Sequence, residues 1–115
     1  MKESVTIPEE IGVIVLPGVV LSPGRLLPLY IFEPRYRRML ELALETDRVF
    51  AVGTRTPGGE ADDAEPIGVA GVIRACVRHA DGTSNLVLEG LARVRFAAWT
   101  QLAPYRIARV EVLES

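Results

Sequence analysis

The apolar run Ile11–Tyr36 is divided by two proline-glycine pairs, Pro17-Gly18 and Pro23-Gly24. Both pairs predict turns, because proline fixes one backbone angle and glycine adopts angles that other residues avoid. The apolar pieces that remain, Ile11–Leu16 and Leu26–Phe32, have the length of short β-strands. The run is therefore expected to form two strands joined by a turn-rich connection, rather than one continuous helix.

Two further prolines predict the position of the second strand and the start of a helix. Pro28 cannot donate a hydrogen bond to a sheet, so the second strand is expected to lie at an edge or to carry a bulge. Pro34 fits the first turn of a helix, where its missing N–H is not needed. Apolar residues then recur at helical spacing, which predicts one helix ending near Thr46-Asp47. This apolar face consists of Tyr36, Met39, Leu40 and Ala43. Arg37 and Glu41 lie four residues apart on the opposite side and can pair.

The rest of the chain alternates between strand-like segments and turns. Asp81-Gly82 predicts a hairpin, and Gly90 predicts a bend. Gly68 and Gly71 predict bulges or a barrel bend. Arg55–Pro66 is rich in Pro, Gly and acids, and is expected to be a mobile, solvated loop with nothing to bury. The strand-like segments are Val49–Gly53, Ile67–His79, Asn85–Glu89, Leu91–Phe96 and Tyr105–Leu113.

The pattern predicts a mainly β (α+β) fold of about six strands, with one α-helix between strands 2 and 3. We expect a small antiparallel, partly closed barrel whose opening the helix covers. The chain has 115 residues, of which 49% are hydrophobic, which suits one compact domain. Residues 1–10 are expected to form a polar tail, and residues 11–115 the barrel domain.

Composition narrows the classes of function. The longest apolar run is too interrupted for the roughly 18–20 residues of a membrane span, and the polar N-terminus lacks the apolar core of a signal peptide, so a cytoplasmic location is expected. The single cysteine, Cys76, rules out an internal disulfide. A net charge of −2 argues against a domain that grips phosphate backbones.

Reactive side chains do not form a recognisable site. The serines have one histidine, His79, and one lysine, Lys2, as possible partners, and no serine lies in a G-x-S-x-G elbow. Cys76 and His79 have a C-x-x-H spacing, but residues three apart on a strand point to opposite faces, and zinc needs further ligands. A P-loop is also missing. The sequence thus predicts no enzyme, no cofactor and no metal.

Arginines offer two open questions. Arg35, Arg37 and Arg38 lie in the first helical turns, where the macrodipole disfavours cations. They either pair with Glu33 and Glu41 while their stems pack on apolar residues, or face a partner.

A second group of arginines bears on nucleic-acid binding. Arg93 and Arg95 share one strand face, as do Arg74 and Arg78. If these faces adjoin, the barrel carries a basic stripe, although the interleaved aromatic residues of single-strand binders are missing.

Several segments, taken in order, resemble a known family. They are VLPGVVLSPGRLLPLYIFEPRYRRMLELAL, VGT, IGVAGVIRACVRHADGTSNLVLEGLARVRF and PYRIARVEVLES. Their succession resembles the N-terminal domain of the Lon protease family, from about Ile11 to Ser115. IFEPRY is more similar to the stand-alone bacterial Lon-domain proteins than to the protease itself.

The resemblance implies a six-stranded PUA-like pseudo-barrel with one helix, used to recognise substrate proteins and to support assembly. Catalysis in the family belongs to separate ATPase and Ser–Lys protease domains, which this sequence does not contain. The helical segment that usually follows the barrel is also missing from the sequence, so we expect either a truncated or an unusually short member.

The predicted function is therefore a non-catalytic module that binds unfolded or partner polypeptides. The unpaired strand edge near Pro28 can accept an extended segment. Val19, Val20 and Leu21 are expected to be exposed apolar contacts, or else to fill the barrel mouth, and Arg35 and Tyr36 complete the candidate site. The alternatives are a PUA-like nucleic-acid-binding domain and a self-assembly module that forms homo-oligomers. No membrane partner is expected.

Overall fold

The computed structural model describes residues 6–60 and 62–113. Within them the predicted mainly β fold is confirmed, with six strands and the helix between the second and third. The elements are β1 (Glu10–Leu16), β2 (Leu26–Ile31), α1 (Pro34–Glu45), β3 (Val49–Thr54), β4 (Ile67–Arg78), β5 (Ser84–Gln101) and β6 (Arg106–Val112). No helix in these ranges is long and apolar enough to cross a membrane.

The strands close into a barrel. Their order is β2-β5-β4-β3-β1-β6, and β6 also pairs with β5, so five strands form a ring while β2 is attached to β5. The expectation of an antiparallel barrel is wrong for one pair, because β1 and β3 run parallel, with Val13 opposite Ala51. Parallel neighbours need a crossover connection, and the intervening β2 and α1 supply it.

The two strands predicted on either side of Gly90 are one continuous strand, β5, which corrects that expectation. Gly90 bends the strand without ending it. An added Cβ at Gly90 would lie 2.3 Å from the carbonyl oxygen of Ser22, so the missing side chain lets the β1–β2 loop approach. Beyond this point β5 exchanges one neighbour, β2, for another, β6.

Helix α1 packs on the sheet through the predicted apolar face, whose four residues are all buried. These residues belong to one core cluster together with Phe50 and Leu88, while a second cluster around Val13 and Val94 contains no helix residue. The barrel thus has one core under the helix and another inside the ring of strands.

Arg37 and Glu41 do not pair, which corrects the helix-surface prediction. Glu41 Oε1 lies 3.7 Å from Arg78 Nη2, and Arg37 Nη2 donates to the backbone oxygen of Asp81 at 3.5 Å. The end of β4 and the predicted hairpin at Asp81-Gly82 lie beside the helix, so both side chains find partners outside it.

The acidic loop at 55–66 was expected to bury nothing, but part of it packs against the barrel. Arg55 and Ala64 form a β-bridge, and Ala64 packs against the second core cluster. Thr56 N donates to Asp63 O at 2.8 Å across the loop. These contacts fold the loop back against the barrel.

The predicted N-terminal tail reaches the barrel in its described part. Ile7 packs against the second core cluster, and Glu9 O accepts a hydrogen bond from Val110 N at 2.9 Å. Residues 1–5 of that tail lie outside the described residues.

Candidate functional site

β2 is an edge strand, as Pro28 predicted, because it pairs only with β5 among the described strands. The residue before β2, Arg25, shows which backbone groups of the strand face β5. Gly90 N on β5 donates to Arg25 O at 2.9 Å, so the Arg25 carbonyl faces β5. Alternate residues of an antiparallel strand turn their N–H and C=O groups to opposite sides. Leu26, Pro28 and Tyr30 therefore turn theirs to the free side. Pro28 leaves a gap in the donors there, between the N–H groups of Leu26 and Tyr30.

The same residues expose their side chains. Leu26, Tyr30 and the following Phe32 are each more than half exposed, and the rings of Tyr30 and Phe32 stack with centroids 5.6 Å apart. The alternate side chains of β2 point into the core under the helix: Leu27, Leu29 and Ile31. The free side of the backbone and an exposed apolar stripe therefore coincide on one strand.

The stripe continues across the sheet. Pro28 lies opposite Val87, which lies opposite Ala75 on β4. In the next row, Tyr30 lies opposite Asn85, and Asn85 opposite the exposed Val77. Directly opposed residues share a face of the sheet. We call this surface the outer apolar face, and it consists of Leu26, Pro28, Tyr30, Phe32, Ala75, Val77 and Val87.

An ion pair borders the outer apolar face where β2 begins. Glu89 lies opposite Leu26 and accepts a hydrogen bond of 2.7 Å from Arg74 Nε. At the opposite border, His79 Nε2 and Asn85 Oδ1 are 2.7 Å apart. Exposed apolar surface rimmed by polar groups is typical of interaction sites.

The three residues of the β1–β2 loop that were predicted as apolar contacts differ in their exposure. Val20 is 83% exposed, whereas Leu21 is 7% exposed and belongs to the core under the helix. Val19 is half-buried, and its backbone oxygen accepts a hydrogen bond from Thr54 Oγ1 at 3.1 Å. A cavity of about 180 Å³ is lined by Val20 and the half-exposed Ile67, among others.

Arg35 and Tyr36 also differ in role. Tyr36 is 7% exposed, its hydroxyl oxygen accepts a bond from Val15 N at 3.5 Å, and burial raises the pKa of its phenol. Arg35 lies over the Tyr36 ring at 4.5 Å and donates to Asp62 Oδ2 at 2.7 Å and to Glu33 Oε2 at 3.3 Å. The bond to Asp62 raises the pKa of Arg35. These contacts match the pairing-and-packing interpretation of this arginine.

Arg35 borders the outer apolar face, whereas Val20 does not. A groove of about 170 Å³ between the ends of β1 and β2 is lined by Arg35, Tyr36, Tyr30 and Phe32 among others. It shares no lining residue with the cavity at Val20. The five residues predicted from the sequence are thus divided between two places.

The sequence prediction did not include the outer apolar face as a unit. The sequence carried no signal for this face, because residues 26–32 are all apolar. Only the structure shows that every second one of them is exposed. Ala75, Val77 and Val87 join this stripe only through strand pairing, which the sequence does not specify.

The other candidate chemistries have ordinary structural explanations. Cys76 is half-buried and packs against the core under the helix. Three arginines of the proposed basic stripe meet carboxylates: Arg74 with Glu89, Arg78 with Glu41, and Arg95 with Glu111. Among residues 6–60 and 62–113, no three His, Cys, Asp or Glu side chains form a group that could hold a metal ion.

This closed ring of strands with one covering helix belongs to the small β-barrel domains. Residues 10–115 match the family model of the ATP-dependent protease La (LON) substrate-binding domain. The chain therefore belongs to the Lon substrate-binding domain family, as the resemblance implied.

Relatives and solved structures agree with this assignment. The chain is 31% identical to the Lon protease of Dictyoglomus thermophilum over 99% of its length, and 30% identical to the Lon protease of Escherichia coli over 92%. It spans only 15% and 14% of those two proteins.

Two solved structures share the fold. The Lon N-terminal domain protein from Xanthomonas campestris gives a TM-score of 0.76 at 24% identity, covering 91% of this chain and 60% of that one. The N-terminal domain of Mycobacterium avium complex Lon protease gives 0.70 at 18% identity, covering 92% and 55%.

Proposed function

We propose that this domain binds extended apolar segments of other polypeptides at β2. The observation that carries the proposal is the coincidence, at Leu26, Pro28 and Tyr30, of free backbone groups with exposed apolar side chains. A segment added alongside β2 gains main-chain hydrogen bonds, while its alternate side chains meet the outer apolar face. Membership in a substrate-binding domain family supports this function.

The donor gap at Pro28 favours weak and sequence-tolerant binding. An added strand finds only the N–H groups of Leu26 and Tyr30 as donors along β2, so its affinity depends on apolar contact as well as on hydrogen bonds. The stacked Tyr30 and Phe32 rings provide a rigid apolar surface at one end. We expect dissociation constants in the millimolar to high micromolar range.

The residues predicted from the sequence take different parts in this proposal. Arg35, beside Tyr30 and Phe32 in one groove, contacts the end of a bound segment. Val20 lines a separate cavity and is not assigned a contact at β2. Leu21 and Tyr36 are buried and support the surface from beneath.

Self-assembly through the same edge is disfavoured by Pro28. If two copies of β2 paired antiparallel about this residue, two N–H donors would be missing at the centre. Nucleic-acid binding is disfavoured by the carboxylate partners of Arg74, Arg78 and Arg95, which offset their positive charge. Light scattering and a gel shift at low salt test these alternatives directly.

A peptide titration followed by amide NMR tests the proposal. The probe is acetyl-Thr-Val-Thr-Leu-Thr-Val-Lys amide, together with two versions N-methylated at alternate residues in opposite phases. We expect the parent to shift amides of residues 26–32, one methylated phase to bind and the other to lose binding, because only one set of N–H groups faces β2. Equal binding of both methylated peptides would refute strand addition.

Matched variants locate the contact. Leu26→Thr and Phe32→Thr should each weaken binding about two- to fivefold, which is the range of cross-strand apolar contacts. Val112→Thr is the control, because Val112 is an equally exposed apolar residue on β6. Weakening by Val112→Thr as large as that by Phe32→Thr would contradict the placement.

A further inference from the structure

A groove lies where α1 ends, beside the starts of β1 and β3. Its volume is about 320 Å³, and it is larger than the cavities at Val20 and Arg35. The Arg35 groove, in contrast, lies where β1 ends and α1 begins. We call this feature the helix-end groove. The helix-end groove and the Arg35 groove therefore lie at opposite ends of β1.

The helix-end groove has an apolar floor. Met39, Ala43, Phe50 and Tyr105 line it and are buried, whereas Leu42 forms a wall and is 52% exposed. The volume is at the lower limit of small-molecule pockets, which run from about 300 Å³ upwards. A space of this size suits one or two large side chains.

The rim of the groove is electronegative. Glu10 and Asp47 are the charged residues that line it, and both are acidic and exposed. The C-terminal end of α1 opens onto the same rim, and its last turn carries no basic residue. A helix C-terminus has a partial negative charge that attracts cations. The two carboxylates and the helix end therefore both attract a cation to this rim.

Neighbouring arginines leave most of this negative charge in place. Arg48 follows Asp47 but directs its Nε to the backbone oxygen of Ile73 at 3.4 Å, towards β4. Arg109 lies opposite Glu10 across the β1–β6 pair and offsets part of that charge. Asp47 and the helix end thus provide the attraction for a cation.

We propose that the helix-end groove is a second binding site, for a polypeptide segment in which a large apolar side chain adjoins an arginine or lysine. The apolar side chain fills the space above Met39 and Phe50, and the cation lies against Asp47 and the helix end. This site is independent of the proposed β2 site, because the two share no lining residue.

Four dipeptide probes test this proposal in amide NMR titrations at low salt. Acetyl-Leu-Arg amide carries both features, and acetyl-Leu-citrulline amide is its neutral isostere. Acetyl-Leu-Glu amide reverses the charge, and acetyl-Gly-Arg amide lacks the apolar group. We expect the first to bind about two- to fivefold tighter than the second, as exposed ion pairs allow, and the other two to bind more weakly than both. The shifts should lie at residues 42–47 and 100–101.

Variants separate charge from shape. Asp47→Asn should reduce the preference for arginine over citrulline without weakening citrulline binding, because only the helix end and Glu10 then attract the cation. Leu42→Ser should weaken the binding of both probes. Glu65→Gln, an acid on the loop at 55–66, is the control and should change neither. Both target side chains are exposed, so the fold should persist. Equal affinity for arginine and citrulline probes, or shifts confined to residues 26–32, would overturn the proposal while leaving the β2 proposal to its own test.

Discussion

Arg35 Nη1 donates a 2.7 Å hydrogen bond to Asp62 Oδ2 across 27 positions of the sequence. This bond ties the acidic loop to the first turn of α1. It also explains why a cation is tolerated at a helix N-terminus, since the Asp62 and Glu33 carboxylates oppose the unfavourable field of the helix. The loop and the groove beside Tyr30 are therefore mechanically connected through one guanidinium group.

Removing this bond should loosen the loop more than the barrel. Asp62→Asn is expected to lower the free energy of unfolding by at most about 1 kcal/mol, because the pair is partly exposed. Amide exchange at residues 59, 60, 62 and 63 should accelerate. Urea unfolding and hydrogen exchange measure the two effects, with Glu65→Gln as the control in the same loop. A loss of stability from Glu65→Gln as large as that from Asp62→Asn would contradict the assignment.

Tyr36 should make stability fall at alkaline pH. Burial raises its pKa in the folded protein, so as pH rises above about 10 the unfolded chain loses this proton first. The contribution is therefore complete below that pH and is lost as pH passes the folded-state pKa. Tyr36→Phe should flatten the alkaline decline, and cost about 0.5 kcal/mol at neutral pH through the lost Val15 contact. Identical alkaline slopes in urea unfolding would refute this.

Two glycines are required by close backbone approaches. An added Cβ would lie 2.5 Å from Val52 O at Gly68 and 2.3 Å from Ser22 O at Gly90. Alanine at either position should reduce the free energy of unfolding by about 1–3 kcal/mol. Gly90→Ala should also shift the amide signals of the β1–β2 loop.

Gly53→Ala provides the matched comparison for these two variants. Its added Cβ would have contacts no closer than 3.4 Å. The change should be neutral or stabilise by up to about 1 kcal/mol, because alanine loses less backbone entropy on folding than glycine does. Equal destabilisation of all three variants in urea unfolding would contradict the steric explanation.

The pKa of Asp81 in the β4–β5 hairpin depends on the hydrogen bonds of the hairpin turn. Hydrogen bonds from the Thr83 hydroxyl, at 2.6 Å, and from Thr83 N, at 2.9 Å, lower the pKa of Asp81. This lowered value favours the folded state above the unfolded-state pKa, and the benefit disappears as pH falls through the folded-state pKa. Thr83→Ala should raise the pKa of Asp81 in a carboxyl-carbon NMR titration. Thr100→Ala, a remote hydroxyl, should leave it unchanged.

Local patterns in the sequence predicted the elements closely. The helix begins at Pro34 and ends at Glu45, one residue before the predicted end, because proline and the apolar spacing are local signals. The hairpin at Asp81-Gly82 and the edge position of β2 also followed from the residues themselves. Each of these features depends on the conformational limits of one or two residues.

Errors arose where distant segments decide the outcome. Glu41 has a helix neighbour at the right spacing, Arg37, yet it meets Arg78 because β4 packs beside α1. Gly90 looked like the end of a strand, but Ser22 packs against it and the strand continues. Val20 and Leu21 look alike in the sequence, and only the packing of their loop exposes one and buries the other.

The sequence by itself determined the order of the main elements, the start of the helix and the family, because these depend on local backbone preferences and on motif order. Only the tertiary structure decided the parallel pairing of β1 with β3, and the assembly of the outer apolar face from β2, β4 and β5. It also placed the helix-end groove far from Arg35. Contacts between segments distant in the chain set these features, and apolar pattern alone does not specify which strand lies beside which.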